Sequence, residues 1–326
     1  MKLILDTNLW SPIGDEGVAG KFEALMDDLG ITVVMPPSYL NEVLSLPKRE
    51  PRDRIIRAMA AGRRIRLCTE AASESGELVE QVRRHRPSWL RHMPDTAKVH
   101  SLNNFWTKRV WRRALDDSGP MHEYLQRRRP LAEHMVAVQR LDRAGLLENQ
   151  FPIRPLTAIT ASLPPSPPTH PFASWAGRHF EAWRVTSALY YRHQLQVVAG
   201  SAAVTREDQT PADWVGAYVD LARMFADPSD FLKFWLVDVV LQEMPRNWLR
   251  WAMTLTQADY KISSGNPADA QHAAYLLDCD LFLSADMRYV AMLDAIKEDA
   301  PFAIAEIRRV DGDRAVPILN RIKAVL

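Results

Sequence analysis

Only two cysteines occur in 326 residues, Cys68 and Cys279, far apart and outside any CxxC spacing. That argues against a disulfide framework or a thiolate zinc ribbon, and leaves both as small buried hydrophobes. No apolar run approaches the roughly 20 residues a membrane-spanning helix needs. Asp6 interrupts MKLIL before a secretory core of about 7 to 15 residues can form, so a cytoplasmic location and no membrane partner are expected. Neither GxGxxG nor GxxxxGK followed by Ser or Thr occurs, which argues against the nucleotide-binding loops of those types. There is no internal repeat.

What is present is ordinary in bulk, with 47% hydrophobic and 25% charged residues, the composition of a soluble globular chain. The length suits roughly two domain-sized units. A net charge of +1 hides an uneven spread. Residues 1–47 carry 2 Lys/Arg against 7 Asp/Glu, residues 48–148 carry 22 against 13, and residues 149–326 carry 17 against 20. An acidic start beside a basic middle suits a protein that holds cations at one place and polyanions at another.

Residues 1–70 have α/β texture. KLIL (2–5) and the β-branched ITVVMP (31–36) predict strands, VAGKFEALMDDLG (18–30) predicts a helix with Gly30 as its C-cap, and PPSYLNEVLSL predicts another with Ser38 as cap. A basic helix and the strand-like RIRLC (64–68) follow. Residues 71–254 are rich in Trp, Arg and Leu at helical spacing and predict a mostly helical insertion. FPIRPLTAITASLPPSPPTHPF (151–172) crosses it with seven prolines, which remove amide donors and predict an extended connection. Residues 255–326 return to α/β texture, with a helix from Asn266, a strand LFLSAD (281–286) and a strand in FAIAEIRRV (302–310). The expected fold is an α/β domain around a parallel sheet, split by the insertion.

Two of the predicted strands end in aspartate, Asp6 and Asp286. In open parallel sheets the ligand crevice lies beyond the carboxyl ends of the strands, so both acids are expected at one site. Glu42, one turn into the helix after ITVVMP, and Asp269, in the first turn of the helix from Asn266, are placed to join them. Crowded carboxylates repel and must bind protons or a cation. With only hard oxygen donors and no Cys or His pair, Mg²⁺ or Mn²⁺ is expected rather than zinc. A divalent ion so held activates water and stabilises charge on a phosphodiester. Singly, each acid has a plainer reading: Asp6 with Asn8 as a strand-to-helix turn, Asp269 as a partner of the helix dipole, Glu42 and Asp286 as solvated acids. His272, three residues after Asp269 on the same helical face, reads as a phosphate or proton ligand or as a buried structural histidine.

The order of LILDTN, PPSYLNEV, NPADAQHAA and LFLSAD resembles the PIN-domain nucleases, a metal-dependent family that cuts RNA and includes many bacterial toxins. The resemblance covers roughly residues 1–70 and 255–326. It implies a three-layer fold with a central parallel sheet, and Asp6, Glu42, Asp269 and Asp286 as the four catalytic, metal-binding acids. Asn8 matches the polar position two after the first acid, and Ser284 the hydroxyl two before the fourth that assists from behind. Arg288 stands where many members carry a further acid, which implies a weakly held second metal or one present only with substrate. The gap between Glu42 and Asp269 is far longer than in compact members, so nothing about residues 71–254 follows from the family. A toxin role would imply a small protein inhibitor as partner.

In the basic middle, FWTKRVWRRALDD (105–117) interleaves aromatics with Lys108, Arg109, Arg112 and Arg113, near RRHRPSWLR (83–91) and RRR (127–129). Arginines track phosphates and tryptophans stack on bases, so these four cations are candidate RNA-binding residues. Equally, Phe105, Val110 and Trp111 can face a core with the cations solvated. Trp183, Trp214, Trp235, Trp248 and Trp251 predict core or an oligomer contact. The leading expectation is a metal-dependent ribonuclease. The alternatives are a catalytically silent PIN-like module binding nucleic acid or protein, and a structure-specific DNA nuclease. A haloacid-dehalogenase-type phosphatase fits less well, since it needs an aspartate where Asn8 stands.

Overall fold

The computed structural model describes residues 1–148, 154–163, 165, 172–197, 211–260 and 266–326. The chain divides into two compact units, one of residues 1–69, 104–151 and 256–326, the other of residues 70–103 and 152–255. The stretch 71–254, expected as a single insertion, is therefore not one unit. Residues 104–151 join the two ends of the chain because Phe105, Val110, Trp111 and Ala114 bury an apolar stripe there.

The first unit is α/β and holds a five-stranded, wholly parallel sheet. Its strands are β1 (Lys2–Leu5), β2 (Thr32–Met35), β3 (Arg64–Arg66), β4 (Leu281–Ser284) and β5 (Glu306–Arg309), in the order β3-β2-β1-β4-β5. Strands buried on both faces need continuous apolar runs, which LIL of β1, VVM of β2 and LFL of β4 supply. The helices are α1 (Thr7–Asp15), α2 (Ala19–Asp28), α3 (Pro37–Leu44), α4 (Arg49–Ala60), α5 (Val110–Asp116), α6 (Gly119–Glu148), α7 (Asn266–Ala273), α8 (Met287–Asp299) and α9 (Ile318–Lys323). Gly30 adopts φ +63° just after α2, as expected of its cap, and its N–H donates to the Asp27 carbonyl.

Two local features differ from expectation. Helix α1 was not foreseen, since Pro12 and Gly14 break the helical pattern. It forms because Asp6 caps it and because Leu9, Trp10 and Ile13 bury one side, with Trp10 Nε1 donating to the Leu5 carbonyl at 3.2 Å. Gly14 is where α4 passes closely: a Cβ there would stand 3.3 Å from the Ile55 backbone. Ser38 is not the cap of α3. Pro36 holds that position and Pro37 presets the first helical turn, so Ser38 lies inside the helix, buried.

The second unit is built on helices Glu70–His85, Ala182–Arg192 and Pro245–Thr256, with an antiparallel strand pair, Thr160–Ser162 and His179–Glu181. Trp183, Trp214, Trp235, Trp248 and Trp251 are all buried, and Tyr191 stacks on Trp235 with centroids 5.2 Å apart. These tryptophans are core. Of the proline-rich connection, residues 151–153, 164 and 166–171 lie outside the described residues. Among the described residues no helix is long and apolar enough to cross a membrane.

Candidate metal centre

The chain leaves β1 for β2 and β3 on one side and returns through β4 and β5 on the other, so the sheet order reverses between β1 and β4. Crevices open at the carboxyl ends of strands flanking such a reversal. Leu5 pairs with Leu283, and the Asp6 N–H donates to the Leu283 carbonyl at 2.8 Å, which brings Asp6 and Ser284 out side by side.

Asp6 is held from three directions. Its Oδ1 accepts from the Thr7 N–H (2.7 Å), and its Oδ2 accepts from Asn8 Nδ2 and from Ser284 Oγ (both 2.6 Å). A carboxylate has about four lone-pair sites, so three bonds leave one to meet a cation. Ser284 Oγ donates once and accepts twice, from Asn8 Nδ2 and the Asp286 N–H (both 3.0 Å). Asn8 Oδ1 accepts from the Ala285 N–H at 3.0 Å, which fixes the amide's orientation. The turn reading of Asp6 and the site reading are thus one geometry: the bonds that cap α1 also aim the carboxylate. Replacing Ser284 with Ala removes the donor to Asp6 and is expected to weaken Mn²⁺ binding about 10- to 100-fold. Calorimetric titration of the variant measures it.

Between α1 and α3, Thr7 Oγ1 donates to Glu42 Oε2 at 2.6 Å. Glu42 keeps exposed surface, yet the protein mass around its carboxylate raises its pKa, with the Thr7 bond opposing. One oxygen each of Asp6 and Glu42 and one ring nitrogen of His272 lie within 4.8 Å of one another. His272 is 2% exposed and sits edge-on to the Tyr39 ring, centroids 4.1 Å apart. Burial lowers its pKa to about 3, so the ring is neutral, the form that ligates metals. Its Nε2 has no hydrogen-bond partner. A buried polar atom left unpaired costs about 1–3 kcal/mol, a cost that a ligand would remove.

Asp269 and Asp286 stand outside that trio but within electrostatic reach of it. The charges of Asp6, Glu42 and Asp286 all act on Asp269, and Asp286 acts on Asp6. Asp286 caps α8, its Oδ1 accepting from the Arg288 (2.8 Å) and Tyr289 (3.0 Å) amides. Tyr289 Oη donates to the Asp269 carbonyl at 3.1 Å and so ties α7 to α8.

Burial first, then the charges of Glu42 and Asp286, raises the Asp6 pKa to about 7 against its bonds to Ser284 and Thr7. Burial first, then the neighbouring acids, raises Asp269 to about 7 as well, with Arg288 opposing. Both values lie above the unfolded value of 3.8, so the folded state holds the extra protons. Their contribution to metal-free stability is complete below about pH 4, falls as pH rises toward 7, and is flat above. A cation must displace those protons. The rise in melting temperature on adding Mn²⁺ is therefore expected to be large at pH 8 and small at pH 5.5, read by thermal denaturation.

Lys108, Arg109, Arg112 and Arg113 are all exposed, along the Phe105–Arg109 turn and α5. Trp106 and Trp111 are buried, and the Arg66 guanidinium lies over the Trp111 ring at 5.1 Å. Stacking of bases on these tryptophans is therefore not available, and only the four cations are exposed in this stretch's candidate set. The sequence reading also missed Thr7, Tyr39 and Tyr289. The position of Thr7 between Asp6 and Asn8 was the only signal for it. No family model, curated protein or solved structure matches this chain.

Proposed function

We propose that this chain is a metal-dependent ribonuclease with a PIN-like fold, hydrolysing phosphodiester bonds at the carboxyl ends of β1 and β4. The observation that carries the reading is the convergence of oxygens of Asp6 and Glu42 and a ring nitrogen of the buried, neutral His272 within 4.8 Å at the sheet's point of reversal. The residues fit a divalent cation: two carboxylate oxygens and an imidazole nitrogen would hold it, with Asp269 and Asp286 adding negative charge. An imidazole in the donor set favours Mn²⁺ over Mg²⁺. When bound, the cation supplies a Lewis acid for the phosphodiester and a lowered pKa for water.

The chain's own residues do the positioning. Ser284 and Asn8 orient Asp6, Thr7 orients Glu42, and Tyr39 holds the His272 ring. The exposed cations from Lys108 to Arg113 would attract the RNA backbone, a salt-sensitive contribution. Single-stranded RNA is the proposed substrate, with a small protein inhibitor the partner if the role is that of a toxin.

Incubation with mixed RNAs and single-stranded DNA in Mn²⁺ or Mg²⁺, with and without EDTA, tests the reading. Cleavage of RNA that EDTA abolishes is expected. Absence of any turnover together with absence of Mn²⁺ binding would leave a silent binding module in its place, and cleavage of branched DNA alone would make it a DNA nuclease.

A further inference from the structure

Arg288, the second residue of α8, has a guanidinium that the protein does not satisfy. Its Nε and Nη2 are both buried and have no hydrogen-bond partner. These two nitrogens form one edge of the guanidinium, the pair of parallel N–H groups that grips two oxygens of a carboxylate or a phosphate. A buried cation edge of this kind calls for an anion. Among the described residues no side chain hydrogen-bonds to that edge. Asp286, nearest in sequence, spends Oδ1 on the Arg288 and Tyr289 backbone amides, and Arg288 forms no ion pair with any described acid. The guanidinium carbon lies over the Tyr260 ring, 5.2 Å from its centroid, a cation–π contact. Arg288 follows the Asp286 cap in the first turn of α8, and its charge acts on the Asp269 carboxylate.

We infer that Arg288 is a substrate-binding residue whose Nε/Nη2 edge takes the two non-bridging oxygens of the scissile phosphodiester. This rests on the nuclease reading above. Four carboxylates around one divalent cation leave the site negative, and a phosphodiester, itself an anion, needs a fixed positive charge to enter. Arg288 supplies that charge, with the geometry to orient the group for attack. Lysine would keep the charge and lose the paired donors.

The test uses the full chain, Arg288→Ala and Arg288→Lys. Each is titrated with Mn²⁺, then with inorganic phosphate in Mg²⁺, and assayed on single-stranded RNA. Both variants are expected to keep Mn²⁺ affinity and to bind phosphate at least about tenfold more weakly. They should lose about 10²-fold in kcat/KM, as when one transition-state donor is removed. Added guanidinium ion should restore part of the activity of Arg288→Ala, which a merely structural role would not allow. Phosphate binding that is equal in all three proteins, or absent from all three, overturns the inference. So does RNA cleavage unaffected by either substitution, which would leave the nuclease reading standing. Phosphate binding that depends on Arg288 in a protein that cuts no nucleic acid would support the anion site and remove the nuclease.

Discussion

Asp6→Asn is expected to abolish metal-dependent RNA cleavage, lowering kcat/KM by about 10³-fold or more, equivalent to about 4 kcal/mol of transition-state stabilisation. Asp6 is the hub of the site. Three donors already hold it, and one of its oxygens lies within 4.8 Å of a Glu42 oxygen and a His272 nitrogen. Asparagine has nearly the same shape and caps helices as well as aspartate does, so α1 should keep its start and the fold its circular dichroism spectrum. What it lacks is the negative charge that would hold a cation. The substitution should also remove most of the stabilisation by Mn²⁺, because a ligand bound to the folded state at 100 times its Kd contributes about 2.7 kcal/mol and the variant would no longer bind it. Cleavage by Asp6→Asn at the wild-type rate would mean that the RNA is cut elsewhere or by a contaminant.

Arg250→Ala is expected to cost about 3–5 kcal/mol of stability. In the second unit, Arg250 Nε donates to Glu74 Oε2 at 2.8 Å, and Glu74 is 2% exposed. The same guanidinium covers the Tyr190 ring, 3.6 Å from its centroid. Glu77, nearby on the same helix, accepts from the Arg246 and Asn247 amides and from Asn247 Nδ2, which pins the start of the helix Pro245–Thr256. Removing Arg250 leaves a buried carboxylate without its cation. Burial already raises the Glu74 pKa even with Arg250 beside it, so without Arg250 the group takes up a proton more readily still. A raised pKa makes the folded state lose stability as pH rises above the ordinary carboxylate range. The loss should therefore be greater at pH 8 than at pH 5. Replacing Glu74 and Arg250 together with Leu and Met should recover most of it, since a well-packed apolar pair avoids the desolvation cost. Denaturant melts of the three proteins measure these differences, and an Arg250→Ala variant as stable as the parent would show that the pair adds nothing to stability.

Strands β1, β2 and β4 were legible because they are short apolar runs closed by recognisable residues. KLIL ends at Asp6 and LFLS is followed by Asp286, and both strands form as expected. Their adjacency was not legible, since it depends on the pairing of Leu5 with Leu283, almost the whole chain apart. Helix α1 was hidden by Pro12 and Gly14, because a pattern rule counts them as breakers while the tertiary structure uses Gly14 for the approach of α4. The aromatic residues of 105–117 could be read either as core or as stacking platforms, and only burial separates the two: Trp111 is 0% exposed. His272 was ambiguous for a similar reason. Its spacing from Asp269 is visible in sequence, but a buried, neutral ring with a nitrogen within 4.8 Å of Asp6 and Glu42 oxygens is a property of packing. Arg288, seen in sequence only as a missing acid, gains a reading of its own once its unpaired nitrogens are known.

The most direct test of the metal centre is a crystal grown with MnCl₂ and measured at the manganese edge. An anomalous peak at bonding distance, about 2.1 Å, from Asp6 and Glu42 oxygens and a His272 nitrogen is the expected result. A fully formed crevice with no anomalous peak there at saturating Mn²⁺ would contradict it.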